Sequence, residues 1–286
     1  MCGIGGMLGQ PDQSVLSRMN RLMEHRGPDG NGVFSDDYCG LAHTRLAILD
    51  ISGSPQPIYG PGKVAVVNGE IYNHLDLRNN MYQYTTNGDS EVVLSLHNGK
   101  GDASHHAKWV SKLDGMFAFA VWSGGQLILA RDAMGIKPLM RTIVGDSLLF
   151  SSEAKALRAH EDYVPEIDDL AMRARIAWEY PLDGTTLFSG VHQVRPGTVE
   201  VWELVDGNPV MTSLSRFEKQ VVEPTESWND PEGLLETFVE SVKDRLMADV
   251  PVGIVLSGGL DSSLVCAVAR EAAERAGQPV PACWTV

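Results

Sequence analysis

The stretch that most restricts the fold begins at Pro251. Val252–Leu256 is a short apolar run without polar alternation, the pattern of a strand buried on both faces. Ser257-Gly258-Gly259-Leu260-Asp261-Ser262 reads as a loop after it. Ser263–Ala276 reads as a helix closed by Gly277, and Pro281–Val286 as the start of a second strand. These pieces make one βαβ unit, which belongs in a parallel sheet covered on both sides. The expectation is an α/β parallel-sheet domain that is cut short inside its second strand. A helix leads into it. Asp230 is suited to cap that helix and Pro231 to its first position, with Leu234, Leu235, Phe238, Val239, Val242 and Leu246 along one face.

The earlier residues follow another rhythm. Asp12–His25 carries apolar residues at helical spacing, with Asp12 or Ser14 as cap. Gly32–Phe34 and Cys39–Thr44 read as strands. Lys63–Val67 reads as a buried strand running into Asn68-Gly69, a turn signal. Asn73 is expected to cap a short helix through Met81, and a second helix is expected over about Ser90–His97. Met116–Trp122 and Gln126–Arg131 flank a Ser123-Gly124-Gly125 hairpin turn. Ser147–Phe150 adds a strand, Glu153–His160 and Leu170–Trp178 add helices, and Thr198–Leu204 adds a further strand. His105-His106 reads as part of a solvated loop. This order predicts two or more antiparallel sheets with helices outside them. The expected division is a first domain over 2–212, a polar linker over 213–229, and a second domain over 230–286.

The 286 residues carry a formal net charge of −14. That charge argues against a nucleic-acid or membrane-surface partner, which would call for a basic face. No run reaches the ~18 apolar residues of a membrane span, and no signal-peptide pattern opens the chain. Cys2, Cys39, Cys266 and Cys283 are too few and too scattered for a disulfide framework. A cytoplasmic location is expected.

Two stretches carry chemistry. If Met1 is removed, Cys2 holds both a thiol and a free α-amine, and the amine titrates at about 7.7–8.0. Nucleophile and base then sit in one residue. Amide attack also needs an oxyanion hole, which Asn68-Gly69 can supply, a fork for a carboxylate, for which Arg45 is suited, and an acid for an amine, for which Asp89 is a candidate. Each has a plainer reading: a hairpin turn, a surface ion pair, a helix cap. The Ser257–Ser262 loop between strand and helix can cradle an anion with its backbone N–H groups. Ser257 and Ser262 can donate to phosphate, and Asp261 can hold Mg2+. The Walker Lys and the GxGxxG pattern are both absent. The plainer reading is a capped turn.

The ordered motifs Cys2-Gly3-Ile4, His25-Arg26-Gly27-Pro28-Asp29, Arg45-Leu46, Asn68-Gly69-Glu70-Ile71-Tyr72-Asn73, Gly115–Phe119, Arg131-Asp132 with Gly135, and Ser151-Ser152-Glu153 resemble class II glutamine amidotransferases. The Ser257–Ser262 hexamer resembles the pyrophosphate loop of ATP pyrophosphatases. Both in one chain resemble the glutamine-hydrolysing asparagine synthetase family. The resemblance implies an α+β N-terminal-nucleophile sandwich, helices over two antiparallel sheets over helices, followed by the beginning of a PP-loop domain. It implies Cys2 as nucleophile, Asn68 and Gly69 as oxyanion hole, Arg45 on the glutamine carboxylate, and Glu70 and Asp89 at its amine, with Ile48 nearby. Ammonia would pass through an interior channel to a site where ATP activates aspartate. Leu256 would touch the nucleotide, and Ser257, Gly258, Gly259, Asp261 and Ser262 would hold pyrophosphate and Mg2+. The substrates would be glutamine, aspartate and ATP, and a homodimer is compatible with this reading. The chain alone is expected to act only on glutamine. Two alternatives stay open: a ligase of the same layout with another acceptor carboxylate, and a glutamine sensor without synthesis.

Overall fold

A computed structural model gives the structure of residues 1–180, 184–217 and 230–285. These residues fall into two compact units, residues 1–47 with 52–217, and 48–51 with 230–285.

The first unit runs β1 (Gly3–Leu8), α1 (Gln13–Met23), β2 (Gly30–Ser35), β3 (Cys39–Arg45), β4 (Ile58–Gly60), β5 (Lys63–Ile71), α2 (His74–Leu77), α3 (Val92–Leu96), α4 (Ala103–Val110), β6 (Gly115–Ser123), β7 (Gln126–Arg131), β8 (Met140–Val144), β9 (Ser147–Ser151), α5 (Ala154–Leu157), α6 (Asp169–Trp178), β10 (His192–Gln193), β11 (Thr198–Val205) and β12 (Asn208–Arg216). A 3-10 turn, Glu24–Arg26, follows α1. Two six-stranded antiparallel sheets result, in the orders β10-β8-β9-β1-β3-β2 and β12-β11-β7-β6-β5-β4.

Period-two alternation builds the layers. Ile4 and Leu8 of β1 pack with Val64 and Val66 of β5, and with Ala118 and Ala120 of β6, between the sheets. Met7 of β1 faces the other way, onto Val15, Leu16, Met19 and Met23 of α1 and onto Ala156 and Leu157 of α5. Ala65, Val67 and Ile71 of β5 face Val92 and Val93 of α3 and Ala107 and Val110 of α4. The unit is therefore helices, sheet, sheet, helices, as the resemblance implied. His43 crosses the inner space, its Nε2 lying 3.1 Å from the Val67 carbonyl oxygen.

Four local expectations differ. Asn68-Gly69 does not turn. Strand β5 runs straight through it, with Asn68 opposite Ala118 and Gly69 opposite Phe117, because β6 offers a full ladder that outweighs the local turn preference. His105-His106 lies in α4, capped by Asp102, and His106 is fully buried. Polar residues hid that helix because its buried face is short. Helix α2 stops at Leu77 and not at Met81, where Arg78 turns extended (φ −65°, ψ 129°), and Asn73 does not cap it, its side chain bonding the Lys112 carbonyl and the Asp114 N–H. Strand β12 continues to Arg216, four residues into the expected linker, because β11 pairs Ser213, Leu214, Ser215 and Arg216. The rest of that expected linker, 218–229, lies outside the described residues.

The second unit contains α7 (Pro231–Asp244), β13 (Gly253–Val255), α8 (Leu260–Ala276) and β14 (Ala282–Trp284), with β13 and β14 parallel. Val239, Val242 and Leu246 pack on Val268, Ala272 and Ala273. Leu234 and Leu235, expected on the same face, are exposed. The two strands were expected to be buried on both faces, but Val255 and Trp284 are each 66% exposed. Two strands and two helices are too few to cover both sides of this sheet.

Candidate active site

Cys2 stands one residue before β1, on the parity of Ile4 and Leu8 that faces the space between the sheets. Gly3 pairs with Thr44, so Cys2 lies across from Arg45 at the end of β3. The thiol packs on the next residue: Leu46 N–H donates to Sγ at 3.4 Å. Arg26 fixes the other side, donating from Nε to the Cys2 carbonyl at 2.9 Å and from Nη1 to Glu153 at 2.9 Å. Burial alone would raise the Glu153 carboxyl, but hydrogen bonds from Arg26, His25 and Lys155 outweigh it and hold the group at about 2. Burial pushes the Cys2 thiol up, against the opposing pull of its Leu46 hydrogen bond.

Strand β5 delivers the next groups. Asn68 and Glu70 share the parity of Val64 and Val66, so both side chains face the inner space. Asn68 is fully buried, and neither its Nδ2 nor its Oδ1 has a hydrogen-bond partner. Buried amides are nearly always paired, so this orphan marks a place made for a ligand. The outer edge of β5 tells the same story. Val67 N–H donates to Gln56 Oε1 at 2.7 Å, and Ile71 N–H to Asp89 Oδ2 at 2.7 Å. By the alternation of an antiparallel ladder, Gly69 N–H points the same way between them. A side chain at Gly69 would meet Phe117 Cα at 2.7 Å, so only glycine lets the strands approach this closely.

Asp89, tied to Ile71, sits beside Glu70. Burial, and then the neighbouring Asp89, push the Glu70 carboxyl up to about 8. Burial raises Asp89 as well. Two buried carboxyls side by side favour an incoming cation. His43, across the sheets, is kept neutral by burial, which drags it down to about 3.

The structure thus gathers Cys2, Arg45, Asn68, Gly69, Glu70 and Asp89 at one end of the two sheets. Ile48 groups with the second unit, where its carbonyl accepts from Asp249 N–H at 2.9 Å. Sequence reasoning missed three residues here: Gln56, which replaces a strand beside Val67; His43, the cross-sheet tie; and Lys137, 5% exposed. A charged residue inside Ile136-Lys137-Pro138-Leu139 was the available signal for the last.

The second candidate group lies in the other unit. Helix α8 begins at Leu260 and not at Ser263, so Asp261 and Ser262 occupy its first turn. Its cap, Gly259, offers no side-chain bond. Gly258 has φ 82°, and Ser257 Oγ lies 3.0 Å from Ser262 Oγ. Ser257, Gly258, Gly259 and Asp261 are exposed around this open helix N-terminus. Leu256 N–H donates to the Trp284 carbonyl at 2.7 Å, extending the sheet. Asp261 presents one carboxylate there; among the described residues no group of three or more His, Cys, Asp or Glu is arranged to hold a metal.

A doubly layered α+β sandwich with a cysteine at the head of its first strand defines the class. The chain belongs to the glutamine amidotransferase domain family, whose profile matches residues 1–210. Residues 233–283 match the profile described as asparagine synthase. The chain is 32% identical over 297 residues to asparagine synthetase [glutamine-hydrolyzing] 1 of Bacillus subtilis, covering 95% of this chain and 44% of that protein. It is 35% identical over 288 residues to asparagine synthetase B [glutamine-hydrolyzing] of Escherichia coli, covering 96% and 46%. It therefore spans less than half the length of these relatives. Among solved structures, glutamine phosphoribosylpyrophosphate amidotransferase from B. subtilis superposes with a TM-score of 0.55 at 19% identity, over 97% of this chain and 65% of that one. At that identity the likeness speaks for the fold alone. Among the described residues no helix is long and apolar enough to cross a membrane.

Proposed function

We propose that the first unit hydrolyses glutamine through Cys2 and supplies the ammonia for asparagine synthesis. The observation that carries this reading is the fully buried Asn68 amide with no partner, on the same inner face as Cys2. Once Met1 is removed, the Cys2 α-amine takes the thiol proton, and Sγ attacks the side-chain amide carbon of glutamine. The Asn68 Nδ2 and Gly69 N–H groups stabilise the oxyanion. Collapse breaks the C–N bond, ammonia leaves with the proton from the amine, and water hydrolyses the γ-glutamyl thioester to glutamate. Arg45 holds the glutamine carboxylate, and Glu70 and Asp89 hold its ammonium. The family resemblance also assigns Ile48 to glutamine binding.

Residues 230–286 are assigned to the ATP-using half, after a first domain over 2–212 and a linker. In the whole synthetase, ATP adenylates the aspartate side-chain carboxylate with release of pyrophosphate, and ammonia displaces AMP to give asparagine, while this chain alone acts on glutamine. Leu256 touches the nucleotide, and Ser257, Gly258, Gly259, Asp261 and Ser262 hold its pyrophosphate on the open helix end. Asp261 would supply one carboxylate to Mg2+ held with the phosphates, where the ion would neutralise their charge.

The test is glutamate release from glutamine by the purified chain beside Cys2→Ala. Release from the parent and none from a folded Cys2→Ala chain is the expected result. Equal release from both would remove Cys2 from the chemistry.

A further inference from the structure

The Arg131-Asp132 pair and Gly135 have no part in the mechanism above, yet they hold one loop with unusual thoroughness. Asp132 is 1% exposed. Its Oδ1 accepts from Met134 N–H at 3.1 Å and Ile136 N–H at 2.9 Å, and its Oδ2 from Lys137 N–H at 3.0 Å and Phe117 N–H at 3.2 Å. Arg131 donates from Nε to the Lys137 carbonyl at 2.7 Å and from Nη2 to the Gly135 carbonyl at 2.6 Å. Gly135 has φ 66° and lies so close to Pro196 that a Cβ would meet its Cγ at 2.7 Å. Phe117 is the residue opposite Gly69. The clamp therefore pins Lys137 beside the strand segment that carries Asn68 and Glu70.

Lys137 is buried, and among the described residues its ammonium makes no hydrogen bond or ion pair. Burial of the side chain disfavours its charge, and the opposite charges of Glu70 and Cys2 favour it. The charged groups around it are Cys2, the α-amine of Met1, Arg26 from the turn after α1, Glu70 from β5 with Asp89 beside it, and Asp132 from its own loop. Glu70 disfavours a thiolate at Cys2, and Lys137 favours one.

We infer that Lys137 is a positioning residue of the Cys2 site, whose clamped ammonium favours the deprotonated thiol of the nucleophile. No bond is made or broken at Lys137 itself. The inference rests on the reading of Cys2 as the nucleophile, but it can be tested without turnover.

The experiment follows alkylation of Cys2 by iodoacetamide against pH, read by mass on the N-terminal peptide, in the full chain and in its Lys137→Met and Lys137→Arg variants. A full charge lost from so close a position moves the midpoint up by about one pH unit, or about tenfold in rate on the acid side. Lys137→Met is expected to show that shift and Lys137→Arg to keep the parental midpoint. An unmoved midpoint in a folded Lys137→Met chain overturns the inference. If Lys137→Met does not fold, Lys137→Gln gives the same reading, since it keeps a polar group and loses only the charge. The acid limb of kcat/KM for glutamine should move in parallel. A midpoint that shifts in a chain without glutamine turnover upholds Lys137 and sinks the proposed function. Turnover with an unmoved midpoint does the reverse.

Discussion

Glu70 shows how a side chain assigned by the proposal to an ammonium partner costs the ligand-free fold stability. Its carboxyl is pushed up to about 8 by burial and by Asp89, whereas an unfolded chain would ionise it near 4.3. A raised folded value means its contribution to stability is full below the unfolded value and is lost as pH rises towards about 8. Glu70→Gln should therefore raise the thermal midpoint of the ligand-free chain at pH 8 relative to the parent and change it little at pH 4.5. The same substitution should raise KM for glutamine, since half of the ammonium's acidic partner set is gone. A variant less stable at pH 8, with KM unchanged, would contradict both the burial and the role. Such a residue was only half legible in the sequence. Asp89 could be singled out as an acid near a helix start, but its partner, the Ile71 N–H, exists only once β5 and the 85–91 segment are folded together.

At the scale of elements, β5 carries the most information and misled local reading the most. Asn-Gly is a strong turn signal, yet nine residues of ladder to β6 keep the strand straight. The consequence is functional: a turn would have sent Asn68 and Glu70 in different directions, whereas the strand puts both on one face. The clamp beyond β7 is of the same tertiary kind. Asp132→Ala removes the acceptor of four backbone N–H groups in a buried place and should cost about 3 kcal/mol or more in denaturant unfolding. A loss under about 1 kcal/mol would mean that the loop holds itself. Helices α3 and α4 bring a different effect. His97 stacks on His106 with ring centroids 5.5 Å apart. Burial, then Lys63 and His106, take His97 down to about 4, and burial lowers His106 too. A depressed folded value means that stability is full above about 6.5 and falls as the unfolded chain takes up protons below it. The thermal midpoint of the parent relative to His97→Phe should stay level from pH 8 to 7 and drop between about 6.5 and 4, since the Glu70 contribution is common to both chains. The antiparallel pattern, the helix over Gln13–Met23 and the βαβ unit were legible because each repeats a local period over many residues. The helix over Ala103–Val110 was not, because its buried His106 reads as polar by type.

The molecule as a whole joins a large, layered first unit to a second with a small core, six buried residues in one cluster. Strands β13 and β14 keep apolar side chains in the open, and such edges invite pairing with other chains. The proposed amide cleavage turns on one covalent event in the first unit, at Cys2. The measurement that tests it most directly is mass analysis of the chain quenched in acid during glutamine turnover. The result predicted is a γ-glutamyl adduct on the N-terminal peptide, with Met1 gone and Cys2 as the modified residue. Glutamate release without any adduct at Cys2, or an adduct on another residue, would contradict it.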